Sequence, residues 1–441
     1  MNFKNIISTK RSYFFLLLVL VQSVMHAQFV NARFTSSVYA WEKFDTVDVS
    51  QTILRGNQSL QMDVMQSDVS FHSFTNVAAN LSNQFGDAST FRVGNLFVRW
   101  KNITPNHDVS VGRIPFFAGV GNGIVDGMLL KGSYNENYFA TLYGGKNVPS
   151  SLYQRNSNDI RNNFLIGGQI LTTYFHNTRI GLSYINRTME RKNYYAIRTD
   201  ASLNGDTLLI KPGSRYQQLV GLDVRYDNNE LYSGNIRVDY DMNATQLSRA
   251  QWNGRYKYDT QFEFTGDVQY RVPRIPYNSF FTMFEPEGIL EYELGVEYMF
   301  SSGVRSFGKF ALVQMEEENN NRVTFGVHTN YGGIAYAGTS GFAGTMSTLS
   351  AQCVSPLMER KVIPTFGITY SAYKFDENTK SENAVGLLLG GTVNPVQAFS
   401  CDIQMQYMKN KIFNNDVRLF IRLNYFFSGN LHFFDSTGGN Q

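Results

Sequence analysis

An all-β chain closing into a transmembrane antiparallel barrel is the fold this sequence predicts, and three observations predict it. Segments of about ten residues alternate oily and polar side chains, the period of a strand with lipid on one face and water on the other. Short turns alternate with longer polar loops along the chain. Aromatic rings gather beside the short turns. Composition agrees: aromatics are 15% of the chain, with 26 Tyr and 35 Phe, and such rings pack well on a pleated surface. Charged residues make up 17%, under the roughly 25% usual in soluble domains.

The amino-terminal segment reads as an export signal. Lys4, Lys10 and Arg11 supply a positive start, Phe14 to Val24 an apolar stretch, and Ala27–Gln28 a cleavage point. Residues 1–27 are therefore expected to be a signal peptide, and residues 28–441 a single barrel domain. The 39 cations less these three leave 36 against 36 acids. A neutral mature chain offers no electrostatic case for nucleic acid. Cys353 and Cys401 both fall on strand-like segments and read as reduced wall residues. The longest later apolar run, Ala384 to Val393, falls short of the ~20 residues a membrane helix needs, so a membrane-spanning form must be a closed barrel.

The alternation is clearest in three segments. In Gln261–Val272 one face carries Phe262, Phe264, Gly266, Val268, Tyr270 and Val272, and the other Gln261, Glu263, Thr265, Asp267, Gln269 and Arg271. In Leu290–Phe300, Leu290, Tyr292, Leu294, Val296, Tyr298 and Phe300 oppose Glu291, Glu293, Gly295, Glu297 and Met299. In Val417–Phe427 the oily set opposes Arg418, Arg422 and Asn424. A soluble sandwich also alternates, but its strands average nearer 5–6 residues.

Short turns are expected at Asn135–Asn137, His176–Asn177, Asp227–Glu230, Asp259–Thr260, Ser301–Gly303 and Asn394–Pro395. Longer loops are expected at Lys146–Asn162, Thr188–Arg215, Pro273–Glu287, Glu316–Asn321, Phe375–Asn383 and Asn410–Asn415. Beside the short turns sit Tyr134, Tyr138, Tyr174, Phe175, Tyr226, Tyr232, Tyr258, Phe262, Tyr298 and Phe300, with Tyr425 and Phe427 at the same level. Rings with a polar edge are stable where hydrocarbon meets water, so this reads as an interfacial girdle. Counting back from the last strand gives roughly 18–22 strands, best about 22. The first is expected near Arg33–Phe44, and the alternation blurs over residues 45–85 and 331–360. No segment is left over for a plug domain.

One stretch is more specific. Val111-Gly112-Arg113-Ile114-Pro115-Phe116-Phe117 is followed by Gly121-Asn122-Gly123-Ile124-Val125-Asp126-Gly127. With the pattern of the whole mature chain, it resembles the bacterial outer-membrane porins. That resemblance implies that the loop between these segments folds into the barrel and narrows it. Phe116, Phe117, Gly121, Asn122, Gly123 and Asp126 are the constriction candidates it supplies.

The polar faces supply the lumen candidates: Arg113, Lys131, Arg237, Arg255, Lys257, Arg271, Arg418 and Arg422 among cations, and Asp239, Glu263, Asp267, Glu291, Glu293, Glu297 and Asp402 among anions. So many charges argue for a water-filled interior, because burying them unpaired costs too much. Their arginines lean toward anionic or sugar-like solutes. The acidic run Glu316–Glu318 is read as a solvated loop that cations and lipopolysaccharide could meet.

Enzyme readings find little support. His72, His107, His176, His328 and His432 show no metal-ligand spacing, and no phosphate loop opens a helix. His328, beside Thr324, is the most notable of them, though a Ser-His-acid site is recognised by geometry and not by chain order. The expectation is a passive channel of the Gram-negative outer membrane, without cofactor or metal. Its partners would be lipid and lipopolysaccharide, small hydrophilic solutes, the barrel-assembly machinery and further copies of itself. A structural or secretion-machinery barrel is the alternative, and a lipid-acting barrel enzyme the third reading.

Overall fold

The computed structural model describes residues 29–46, 49–82, 90–149, 159–199, 205–228, 231–283, 286–300, 303–316, 318–342, 344–375, 379–412 and 415–430. The expected signal peptide and His432 lie outside the described residues.

The chain forms one closed wall of 22 strands, with a separate two-stranded hairpin in an outer loop. In order the strands are β1 (Phe29–Thr46), β2 (Val49–Gln66), β3 (Val69–Asn80), β4 (Thr90–Thr104), β5 (His107–Ala118), β6 (Gly121–Tyr134), β7 (Tyr138–Val148), β8 (Phe164–Thr172) and β9 (Thr178–Thr188). The outer hairpin follows, β10 (Tyr194–Thr199) with β11 (Gly205–Ile210). The wall resumes with β12 (Arg215–Asn228), β13 (Tyr232–Asp241), β14 (Gln246–Lys257), β15 (Phe262–Arg271), β16 (Ile289–Met299), β17 (Arg305–Met315) and β18 (Glu318–Thr329). It ends with β19 (Gly332–Gly341), β20 (Gly344–Val354), β21 (Val362–Lys374), β22 (Glu382–Val396), β23 (Phe399–Lys409) and β24 (Asp416–Gly429). Each pairs antiparallel with its sequence neighbours, β9 with β12, and β24 with β1, from Val30↔Gly429 to Ala40↔Leu419. The closing pair leaves the wall without a first or last edge strand, the condition lipid imposes on strands.

Registers keep each oily face continuous around the ring. Phe264 faces Val296, Tyr292 faces Leu312 and Phe325 faces Tyr336. These side chains stay exposed, Leu294 at 70%, Ile170 at 63% and Ile334 at 58%, as a lipid-facing belt requires. An 11-residue strand such as β16, tilted by about 40°, rises ~27 Å along the normal, enough for a hydrocarbon core. At the short-turn end the rings of Tyr226 and Tyr232 stack at 4.8 Å, and Tyr298 meets Phe262 and Phe300 at 4.6 Å each. Both cysteines are free.

Three local expectations are corrected. Asn394–Pro395 is not a turn but lies inside β22, whose register with β23 shifts between Val393 and Val396; the turn falls at residues 397–398. Proline has no ladder N–H to give, and a bulge tolerates it. Glu316–Asn321 is not a long loop, because β18 begins at Glu318 and its asparagines pair with β17. The first strand is longer than Arg33–Phe44 at both ends.

Candidate functional site

A wall of 22 strands encloses more space than its own inward side chains can fill, so what enters the lumen decides what passes. The registers place Asp223, Arg237, Asp239, Arg249, Gln251, Asp267, Arg271, Glu291, Glu293 and Lys309 on the face opposite the oily belt. Most of these charges are paired. Arg322 bridges Glu291 and Glu293, the latter at 2.9 Å, and Lys309 reaches Glu293 at 3.0 Å. Arg422 holds Asp402 at 2.9 Å, with Thr392 donating to the same carboxylate at 2.6 Å. Arg255 stands 3.5 Å from Glu263, and Arg418 2.7 Å from Asp416. Arg271 is different: it lies opposite Arg249 across β14–β15, and neither has an ion-pair partner among the described residues. Across β19–β22 the same face is neutral, with Ala335, Ala337, Thr348, Ser350, Thr369, Gly386 and Leu388.

The hairpin of β5 and β6 leaves the wall. Its register runs unbroken from His107↔Gly132 to Ala118↔Gly121, with Gly119 and Val120 at the tip. That tip touches β9, β12 and β13, strands well beyond its neighbour β7. The Val120 N–H donates to Ser183 Oγ at 3.0 Å, Arg237 Nη2 donates to the Gly119 carbonyl at 3.3 Å, and Arg187 donates to the Asn122 carbonyl. Ser183, Arg187 and Arg237 belong to the lumen face, since Leu182 and Ile236, their sequence neighbours, are exposed in the outer belt. The hairpin therefore lies on the inner wall.

Glycines make the bend. Gly112, Gly127 and Gly145 form a row across β5, β6 and β7, with Gly112↔Gly127 and Gly127↔Gly145 in register. Gly112 and Gly145 have φ of +131° and +151°, and a Cβ on any of the three would collide with a neighbouring backbone oxygen. Only glycine allows strands this close in such a conformation. Above the crease β4 and β5 part, and Arg113 Nη1 donates to the Val93 carbonyl at 3.1 Å.

The underside of the hairpin is apolar. Ile114, Phe116, Ala118, Val120, Val125 and Leu129 pack on Tyr143, Leu165, Ile185 and Leu219, which point inward from the wall. Phe116 and Tyr143 stack at 4.1 Å. This is the largest buried core of the molecule among the described residues, and it sits inside the barrel. Each such side chain withdrawn from water contributes roughly 1.5–3 kcal/mol, so the hairpin rests on the wall as a packed element.

A second segment enters from the loop after β15. Arg274 pairs with Asp239, which is fully buried and also 3.1 Å from Arg237. The Asn278 amide donates to the carbonyls of Met189 at 2.8 Å and Gly213 at 3.1 Å, fastening the same loop over the outer ends of β9 and β12.

The structure separates the two groups of sequence candidates. Lys131, Arg237, Arg255, Lys257, Arg271, Glu291, Glu293, Arg418 and Arg422 share the polar face of the wall. Arg113 does not: its register puts it on the face of Val111 and Leu96, and it forms a two-toothed pair with Asp126 at 2.7 Å per bond. That back face also carries Pro115, Phe117 and Asn122, all exposed, with Phe117 at 87%. Folding inward inverts the alternation, so residues with lipid-side parity turn toward the open lumen. Phe116, Gly121 and Gly123 sit on the covered side, where Gly121 abuts the Tyr143 hydroxyl and Gly123 the Arg187 guanidinium. Asp239, already a lumen anion candidate, completes the arrangement with Ser183 and Arg187, which had no sequence signal beyond their face of the strand, and with Arg274, which lies in the loop after β15 and had none. The turn at Glu316 is acidic as read, with Glu287 and Glu318 close by. Among the described residues no group of His, Cys, Asp and Glu is placed to hold a metal.

No family model matches the sequence, and no curated protein resembles it significantly. A solved structure shares the fold, and two further ones align along most of the chain with lower superposition scores. The ferric enterobactin receptor PfeA of Pseudomonas aeruginosa superposes with a TM-score of 0.55 at 9% identity, over 90% of this chain and 80% of the receptor. OpdQ of Pseudomonas aeruginosa aligns over 91% of this chain and 97% of its own at 7% identity and a TM-score of 0.41. OccAB4 of Acinetobacter baumannii aligns over 91% and 99% at 9% identity and 0.39. The closed ring, oily exterior and charged interior define a transmembrane antiparallel β-barrel, the fold shared with the PfeA receptor.

Proposed function

We propose that this protein is an outer-membrane channel through which small hydrophilic solutes diffuse passively, sieved where the β5–β6 hairpin and the Arg274 loop narrow the lumen. The observation that carries this reading is the hairpin packed on the inner wall and tied there by Ser183, Arg187 and Arg237. Neighbouring wall charges set the field in the remaining passage. Arg249 and Arg271, side by side without a direct ion pair, favour anionic solutes. The chemistry is sieving and needs no cofactor or covalent step. Export to the outer membrane, contact with lipopolysaccharide, insertion by the assembly machinery and association of copies belong to the same proposal.

The test is conductance in a planar bilayer. Discrete, salt-dependent steps are expected, and replacing residues 114–125 by a short glycine turn should enlarge them. A folded barrel that stays silent in both forms would overturn the channel reading and favour a docking or structural role.

A further inference from the structure

We propose that Ser70, His72 and Asp63 form a serine-nucleophile site in the lumen wall that hydrolyses small water-soluble carboxylic esters. The three residues come from β2 and β3 near their short turn. Asp63 and His72 are direct partners in the ladder, and Ser70 lies two residues from His72 on the same face. Ser70 Oγ stands 2.9 Å from His72 Nε2, and His72 Nδ1 stands 2.6 Å from Asp63 Oδ1. Both distances fall in the range required of a nucleophile, its base and the group that orients the base. With Nδ1–H donating to Asp63, Nε2 is left with its lone pair toward the serine hydroxyl, which is the tautomer a general base needs.

The surroundings fit the same chemistry. The imidazole stacks on Phe97 at 4.7 Å, which fixes the ring plane. Arg99 lies opposite Ser70 across β3–β4, and its guanidinium is held by Asp108. It is the charged donor of this face nearest the nucleophile in register, suited to stabilising an oxyanion. His72 and Asp63 side chains keep 25% and 22% of their surface open to the lumen. Ser70 is only 7% exposed, and this limits the substrate to a short acyl group, such as an acetyl ester.

In the reaction Ser70 Oγ attacks the ester carbonyl while its proton passes to His72 Nε2. The tetrahedral species expels the alkoxide, which leaves as the alcohol with that proton, and an acyl-serine remains. A water molecule gives a proton to Nε2 and attacks the acyl carbonyl, releasing the carboxylic acid and restoring the serine hydroxyl. Ser70 and His72 are the catalytic residues, and Asp63 is a positioning residue.

The experiment uses the full barrel in detergent, with a small fluorophosphonate as covalent probe and p-nitrophenyl acetate as substrate. The expected result is one adduct on Ser70 and turnover that falls to the buffer rate in Ser70→Ala. His72→Ala should lose roughly 10²–10⁴-fold. Asp63→Ala should lose a comparable factor, and Asp63→Glu should recover part of it, which a merely structural aspartate would not do. Ser70→Ala removes one oxygen and should conduct in a bilayer as the parent does, so the result is independent of the channel reading. Wild-type turnover in Ser70→Ala, or no Ser70 adduct on a barrel of unchanged conductance, would overturn the proposal.

Discussion

Arg274 reaches back 35 residues to pair with Asp239, a carboxylate with no exposed surface that Arg237 meets from the other side at 3.1 Å. Arg237 in turn donates to the Gly119 carbonyl at the hairpin tip. One buried anion thus joins the β5–β6 hairpin, the wall and the loop after β15. Removing a single member of a buried charge cluster costs about 3–5 kcal/mol, because the rest is left uncompensated. Asp239→Ala should therefore lower the unfolding temperature in a heat-modifiability gel and make single-channel currents noisy. The triple replacement of Arg237, Asp239 and Arg274 by Ala should recover part of the lost stability, since the charge it leaves unpaired is Asp223, which keeps 27% of its side chain exposed. Equal losses in both variants would show that the cluster is not energetically coupled.

The seat of the hairpin offers a finer perturbation. A Cβ at Gly221 would collide with Val120 Cγ1 and come within 3.0 Å of Asp239 Oδ1. Gly221→Ala should lift the tip while β12 keeps its pairing with β9 and β13. The expected readout is a larger unit conductance together with a modestly lower unfolding temperature, because Val120 gives up part of its packing. A smaller or unchanged conductance would mean that the tip does not border the passage.

Much of the barrel is legible from residues because lipid enforces a period of two. Phe262 to Tyr270 and Leu290 to Tyr298 show it directly, and the structure places those faces as the alternation requires, while Val272, expected on the oily face, lies past the end of β15 and is buried. The hairpin is where that rule misleads. Arg113 reads as a lumen cation by its charge, yet its register gives it lipid-side parity. Phe117, a constriction candidate through the porin resemblance, has lipid-side parity in the ladder and is 87% exposed on the inward-turned back face. What inverts them is the crease at Gly112, Gly127 and Gly145, and the row exists only once three strands are in register. Asp239 and Arg274 are joined by tertiary folding, and no spacing in the chain announces it. The Ser70 and His72 pair is visible at two-residue spacing, but Asp63 becomes its partner only through the β2–β3 ladder.

Selectivity follows from which charges are balanced. Arg113 is neutralised by Asp126, and Arg322 by two glutamates. Arg249 and Arg271 face each other across a strand pair and neither makes a direct ion pair among the described residues, Asp239 and Asp223 acting on Arg249 only at longer range. Replacing both by Ala should lower the anion-to-cation permeability ratio, read as a shift of reversal potential toward zero in a salt gradient. Arg113→Ala should shift it in the same sense but by less, because it removes one cation and leaves Asp126 unpaired. The claim fails if the Arg249 and Arg271 double variant keeps the parent reversal potential.

The acidic turn supplies a pH-dependent signal outside the membrane-spanning wall. Glu287 is held above its ordinary 4.5, first by desolvation, then by a hydrogen bond shared with the Glu316 carboxyl and by repulsion from Glu316 and Glu318. Its folded value is raised, so between 4.5 and that value the folded protein binds a proton that the unfolded chain has released. Stability from this group therefore falls as pH rises through the window and is regained on acidification. Glu316→Gln removes one charge and the shared proton, and should return the Glu287 titration toward 4.5, followed by carboxyl carbon NMR. A Glu287 midpoint that stays raised in Glu316→Gln would assign the shift to desolvation and Glu318 and remove Glu316 as a cause.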